Sequence, residues 1–155
     1  MADPGTNANP SGTDSSASLP WLILEAFHYT RRAFDEAVRV HGVSASQLGV
    51  LNRIADHPGL SGAELARLML TTPQATQLML GTLERKRLVR RTPDPRHGRI
   101  VRSRLTAKGE RVVAACRPLV WEMQARLGAR LDSSAREQLA DLLHRYTEGA
   151  RSGLD

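Results

Sequence analysis

The strongest chemical signal in the sequence is a cluster of positive charge between Arg85 and Arg111. This segment holds eleven of the chain's 22 Lys and Arg residues, and its only acidic residues are Asp94 and Glu110. The whole chain carries a formal net charge of +6 and has a pI of about 10.6. A basic patch of this density attracts polyanions, of which nucleic acid is the usual one, although charge alone fits a solvated charged face equally well.

The centre of this cluster is the run DPRHGR, residues 94–99, between two segments whose patterns predict strands. The run predicts the tip of a β-hairpin, or wing, that presents Arg96 and Arg99 outward. A guanidinium group fits the narrow, negative minor groove of A·T-rich duplex DNA. Asp94 is better suited to hold an arginine side chain within the protein than to contact DNA. An ordinary solvated hairpin with surface arginines is the alternative.

Two predicted helices precede the hairpin. Ser61 and Glu64 have the spacing of a capping box, and Thr72 with Pro73 makes a good start for the next helix. In a helix-turn-helix the second helix enters the major groove, where a glutamine amide can pair with adenine N6 and N7 at once. The hairpin that follows favours this interpretation over ordinary solvent-facing polar residues. The candidate DNA-binding residues are Ser61, Thr72, Gln74, Ala75, Thr76, Gln77, Arg90, Asp94, Arg96, His97 and Arg99.

Helical periodicity and capping residues divide the chain into four parts. Residues 1–18 predict a disordered tail, 19–43 a helix that ends at Gly42, 44–105 the helix-turn-helix and hairpin, and 106–151 two further helices. The second helix of the pair is predicted to bury Ala75, Leu78, Met79 and Leu83. The outer helices carry more apolar residues than one small core needs, which suggests pairing with another chain unless the surplus is simply core. The predicted fold class is therefore mainly α: a winged helix-turn-helix domain with a two-stranded β-wing, flanked by N- and C-terminal dimerisation helices.

Several other function classes find no support in the sequence. The single cysteine, Cys116, excludes an internal disulfide and a multi-cysteine metal site. The five histidines lack zinc-binding spacing, and no nucleotide-binding or hydrolase motif is present. We therefore expect no enzyme activity, no metal and no cofactor. Without a membrane-spanning stretch or a secretory signal, the expected location is the cytoplasm.

Five short runs of sequence also carry a family resemblance. They are QLGVL (47–51), SGAELA (61–66), LERKRLVRR (83–91), DPRHGR (94–99) and LTAKG (105–109). Together they resemble the MarR family of winged helix-turn-helix regulators over roughly residues 20–150. The resemblance implies an obligate homodimer, formed by the first and the last two helices. It also implies binding to a pseudo-palindromic operator, usually as a repressor released by a small ligand or by oxidation.

The chain departs from the family pattern at two places that matter for function. Arg87 stands where family members usually have glycine, so it must either adopt a left-handed conformation or end its helix differently. Gln77-Leu78 stands where the recognition helix commonly has Thr-Arg, so base preferences do not transfer from the family.

Regulation has two candidate sites. Trp21, His28 and Tyr29 on the first helix could line a pocket for a flat aromatic or anionic ligand, or could be ordinary core and interface residues. Cys116 could be a redox sensor, but its place on an apolar stripe favours a buried, structural thiol. A basic helical module that binds an acidic protein or membrane surface is the alternative to DNA binding, and the predicted hairpin argues against it.

Overall fold

Six α-helices and a small antiparallel sheet follow one another in the predicted order, in a computed structural model that describes residues 18–152. The helices are α1 (Leu19–Val38), α2 (Ala45–Asp56), α3 (Gly62–Leu68), α4 (Pro73–Arg85), α5 (Ala107–Leu127) and α6 (Ser133–Ser152). The strands are β1 (Leu60–Ser61), β2 (Val89–Pro93) and β3 (Val101–Leu105). The predicted tail, residues 1–18, lies outside the described residues except for Ser18.

The sheet has three strands where the sequence predicted two. β2 and β3 form the predicted hairpin, with Val89 opposite Leu105 and Pro93 opposite Val101. β1 pairs with the other edge of β3, so that the strand order is β1-β3-β2. Two residues are too short to show an alternating pattern, and for this reason the sequence carries no signal for β1. The added strand ties the start of α3 to the wing.

Side-chain caps start every helix from α2 to α6. In each case an oxygen accepts a hydrogen bond from the backbone N–H three residues further on, which satisfies one of the free donors of the first turn. The capping residues are Ser44, Ser61, Thr72, Thr106 and Asp132. These caps confirm the predicted helix starts and fix the boundaries between α2, α3, α4 and the wing.

The core lies where α2, α3, α4, β2 and α5 meet the C-terminal end of α1. Its fully buried side chains include Val38, Leu51, Ile54, Leu65, Leu80, Leu83 and Cys116. The outer helices contribute little to it, since Val38 is the one buried residue of α1 and α6 has no buried residue. Among the described helices, none has the length and apolarity that crossing a membrane requires.

Candidate nucleic-acid interface

The two helices of the helix-turn-helix are held at a fixed junction. Ser61 and Glu64 form the predicted capping box, in which the Ser61 N–H donates to Glu64 Oε2 at 2.7 Å and the Ser61 hydroxyl accepts from the Glu64 N–H at 3.3 Å. The turn before α4 places Leu70 in the left-handed region at φ 50°. Thr72 Oγ1 then accepts from the Ala75 N–H at 3.2 Å and starts α4. Ser61 therefore caps α3, and Thr72 caps α4.

The exposed face of α4 is rotated from the predicted face by about one residue position. Gln74, Ala75, Gln77 and Leu78 are exposed, whereas Thr76 is 1% exposed and lies in the core with Leu80 and Leu83. The prediction that Thr76 faces solvent was wrong, and so was the burial of Ala75 and Leu78. A shift of one residue position turns the buried face of a helix by about 100°, which is enough to bury Thr76 and to expose Ala75 and Leu78.

Gln77 contacts the wing although it lies on α4. Its Oε1 accepts a 2.8 Å hydrogen bond from Arg91 Nη2 of β2. Its Nε2 lies against Gly62, the first residue of α3, where an added Cβ would overlap it. The amide of Gln77 thus joins three elements of the predicted interface: α3, α4 and the wing.

Asp94 organises the tip of the wing from inside, as its lone negative charge suggested. Its Oδ1 accepts from the backbone N–H groups of Arg96 at 2.8 Å and of His97 at 3.2 Å. Its Oδ2 accepts from Arg102 Nε of β3 at 2.8 Å. These bonds hold the backbone of the tip in one conformation. Asp94 is therefore a positioning residue.

Arg102 extends this network to the helix-turn-helix, and the sequence interpretation missed it. Its Nη1 donates to Glu64 Oε2 and to the Gly59 carbonyl oxygen, both at 3.2 Å. We call Asp94, Arg102 and Glu64 the wing clamp. The signal that could have located it is the hairpin register, which places Arg102 opposite Thr92 and close to the single acid of the tip.

The wing clamp is fully charged at neutral pH. The hydrogen bond from Arg102, followed by that from the Arg96 N–H, holds the pKa of Asp94 below its ordinary value. The Ser61 side chain and N–H do the same for the pKa of Glu64, with a smaller contribution from Arg102. Asp94 in turn raises the pKa of Arg102. A carboxylate that is hydrogen-bonded to donors in this way favours its ionised form.

The arginines at the tip project away from the clamp. Arg96, His97 and Arg99 are exposed, as is Arg90 on β2. None of the ion pairs within residues 18–152 includes Arg90, Arg96 or Arg99. The predicted wing residues Arg90, Arg96, His97 and Arg99 are therefore all exposed, on a wing that meets α4 where Arg91 contacts Gln77.

The predicted ligand residues lie on α1. Trp21 and Tyr29 are exposed, and the rings of His28 and Tyr29 meet edge to face with centroids 5.7 Å apart. Trp21, His28 and Tyr29 border a shallow cavity of about 330 Å³, and Tyr29 also borders a larger one of about 590 Å³ between α1 and α5. The three predicted residues are thus brought together at one surface.

Cys116 lies in the core beside the α2 and α4 side chains. It is fully buried, and burial raises the pKa of its thiol. A protonated, buried thiol is a poor nucleophile toward peroxide. The described residues also contain no group of three or more His, Cys, Asp or Glu side chains that could hold a metal ion.

The fold and its sequence match a known family of regulators. Residues 41–100 match the model of the MarR family. The HTH-type transcriptional repressor Rv2887 of Mycobacterium tuberculosis is 29% identical over 134 residues, which cover 86% of this chain and 96% of the repressor. A mutant MarR from E. coli, solved in complex with operator DNA, has a TM-score of 0.80 and 26% identity over 83% of this chain and 92% of that chain.

The MepR–DNA complex of S. aureus shares the fold, with a TM-score of 0.80 over 85% of this chain and 98% of that chain at 23% identity. The matched segment, residues 41–100, spans α2, the helix-turn-helix and most of the wing, which are the elements that form the basic surface. Residues 41–100 thus match the winged helix-turn-helix part of the MarR family, and the described fold is similar to that of the E. coli MarR solved with operator DNA.

Proposed function

We propose that the chain is a homodimeric repressor that binds a pseudo-palindromic site in duplex DNA. The observation that carries the proposal is the combination of exposed residues on the N-terminal half of α4 with a wing that contacts α4 through Arg91 and exposes its tip arginines. α4 would enter the major groove and the wing the adjacent minor groove. The similar E. coli protein solved with operator DNA supports this mode of binding.

Within α4, Gln74 is the residue we expect to read a base directly. It is exposed on the first turn, and a glutamine amide matches the N6 and N7 edge of adenine. The side-chain oxygen of Gln77 already accepts a hydrogen bond from Arg91, so any base contact that it makes through this oxygen must share it. Arg90, Arg96, His97 and Arg99 would contact phosphates and the minor groove, which position the protein on the duplex.

The outer helices α1 and α6 are the part of the chain that we propose forms the dimer interface. The exposed apolar side chains of α1 and α6 are Leu19, Trp21, Leu22, Leu24, Phe27, Tyr29, Leu139, Leu142, Leu143 and Tyr146. Large apolar side chains exposed in this number on a single chain mark an interaction site. A second copy of the chain would cover it and would place the two α4 helices on successive major grooves.

A small ligand is proposed as the signal that releases DNA. The cavities beside α1 are lined by aromatic rings and by charged groups: Trp21, His28 and Tyr29 border one, and Arg32 and Arg126 border the other. A flat aromatic acid matches the apolar wall and the two arginines of the larger cavity, which Glu36 also borders; the smaller cavity is bordered by Glu25 and by no arginine. Its binding would release DNA only if it favoured a dimer geometry with a different α4 spacing.

Selection of bound sites from a random duplex library tests the proposed function. A two-fold dimer should enrich inverted half-sites whose centres lie about 10 base pairs apart, because this distance is one turn of DNA. Sedimentation of the free protein at micromolar concentration should give the mass of a dimer. A library that enriches no sequence, or a monomer that binds all duplexes equally, would contradict the proposal.

A further inference from the structure

Leu78 is an apolar residue on the outer surface of α4. Its side chain is 75% exposed, while Leu80 and Leu83 on the opposite side of the helix are fully buried. Residues three and four positions apart share a helix face, so Leu78 lies beside Gln74 and Ala75, both of which are exposed. We call Ala75 and Leu78 the apolar strip.

The border of the apolar strip is polar and basic. Gln74 lies at its N-terminal end, and Gln77 with its hydrogen-bonded partner Arg91 lies along its side. The one acidic residue of α4, Glu84, is nearly two turns further toward the C-terminus. An occupant of the strip must therefore carry an apolar group close to negative charge.

Thymine in duplex DNA has this chemistry. Its 5-methyl group lies in the major groove, between two rims of phosphate. A protein partner or an acyl chain would need far more apolar area than one alanine and one leucine provide, since stable protein interfaces bury more than about 1,000 Å². A single methyl group, in contrast, fits a strip of this size.

We propose that Ala75 and Leu78 read thymine methyl groups within each half-site. This inference rests on the proposed function, in which α4 enters the major groove. Gln74 at the end of the strip would read the adenine of the same or a neighbouring A·T pair, so that both partners of the pair are recognised.

Gln77 has a different role in this arrangement. Its oxygen accepts from Arg91 and its nitrogen packs against Gly62, so the amide contacts both the wing and α3. Gln77 is therefore a positioning residue that fixes α4 against α3 and the wing. This contact keeps the apolar strip in a constant place relative to the basic tip.

The test replaces thymine by deoxyuridine in the duplex that the wild type selects. Deoxyuridine keeps the base pairing and lacks only the 5-methyl group. Removing a buried methyl group should weaken binding about threefold to fourfold, at one or two thymines in each half-site. Leu78→Ala should bind the thymine and the deoxyuridine duplexes equally well, while Leu78→Met should keep the discrimination. Val40→Ala is the matched control, because Val40 is also 75% exposed and lies outside α4.

The outcomes separate this inference from the function on which it rests. A selected sequence whose thymines can all be replaced without loss overturns the inference and leaves DNA recognition intact. Discrimination that persists in Leu78→Ala also overturns it, because the methyl group is then sensed by another residue or through DNA shape. If the wild type selects no sequence, the proposed function fails first and the inference falls with it.

Discussion

Two regions of the chain differ in how much of their apolar surface they bury: the segment from α2 to β3, and the two outer helices, α1 and α6. The segment from α2 to β3, which we call the DNA-binding lobe, packs its apolar residues into a core shared with α5 and joins its elements through the wing clamp. α6 has no buried residue, and α1 has one. α6 nevertheless carries Leu139, Leu142, Leu143 and Tyr146 along one face, and α1 exposes leucines and aromatic residues around most of its circumference.

This difference shows which part of the chain buries its apolar residues without a second copy. An amphipathic helix is stable in a protein mainly because its apolar face is packed against something. Within one chain α6 buries no residue, and α1 packs against α5 while most of its large apolar side chains between Leu19 and Tyr29 stay exposed. The lobe, in contrast, has a core, helix caps and the wing clamp. Changes in the outer helices should therefore alter assembly, and changes in the lobe should alter DNA contact or local stability.

The largest expected effect comes from placing a charge on the apolar face of α6. Leu142→Glu should convert the dimer to a monomer, because an acidic group would have to be buried between two copies. Loss of the second half-site contact should weaken operator binding on the order of 100-fold or more. Sedimentation and a DNA titration measure the two effects.

The control for Leu142→Glu is Glu148→Gln, which changes the charge by one unit on the opposite face of α6. Circular dichroism should show that the lobe of the Leu142→Glu variant remains folded. A variant that stays dimeric with full affinity would place the interface elsewhere and remove the contrast between the two regions.

The second effect concerns the lobe alone. Arg96→Ala should weaken operator binding by about 1–3 kcal/mol and reduce the salt dependence by about one charge per half-site, because it removes a cation from the exposed tip. The dimer should be unaffected. Arg53→Ala, an exposed arginine on α2, should show neither change, and equal effects of the two substitutions would show that only net charge matters.

The capping residues and the hairpin could be predicted because their signals are local. Ser61, Thr72 and Thr106 each precede an apolar helical pattern, and Arg96 and Arg99 flank a tip whose turn residues are recognisable in the sequence. The left-handed conformation of Arg87 was one of two possibilities stated from its position at a helix end, and the structure shows it at φ 58°.

Two features could not be predicted from local sequence: which face of α4 is buried, and the contacts of the wing clamp. Apolar residues at positions 75, 78, 79 and 83 fit a helical period as well as the observed set of Thr76, Leu80 and Leu83 does. Only contact with α3 decides between them, and a buried threonine gives no local signal. The clamp joins Glu64 to Arg102 across 38 residues, and it depends on a strand of two residues that has no sequence pattern.

A smaller effect is expected at the end of α4. Arg87 has a Cβ in the left-handed region, which costs roughly 1–2 kcal/mol relative to the right-handed conformation. Glycine avoids this cost but loses more chain entropy on folding, so Arg87→Gly should stabilise the protein by about 1 kcal/mol or less. Arg87→Ala, which removes the same charge and keeps the Cβ, is the matched control in thermal unfolding. Equal melting temperatures for the two variants would show that relief of the strain does not exceed the entropy cost of glycine.

The smallest expected effect is the contribution of the wing clamp to acid stability, because its three side chains are partly exposed and solvent weakens their attraction. The pKa values of Asp94 and Glu64 are lower in the folded protein than in the unfolded chain. The unfolded chain therefore binds protons first as the pH falls, and the stability that these carboxylates provide at neutral pH is lost below about pH 4. Asp94→Asn should be less stable than the wild type at pH 7, and its unfolding free energy should fall less steeply in acid, so that the two curves converge.

Arg102→Ala, which removes the main donor to Asp94, should reproduce the shallower acid slope, and the double variant should add little to it. Urea unfolding from pH 7 to pH 3 measures all four proteins, and parallel curves for the wild type and Asp94→Asn would mean that the clamp orders the tip without stabilising the lobe.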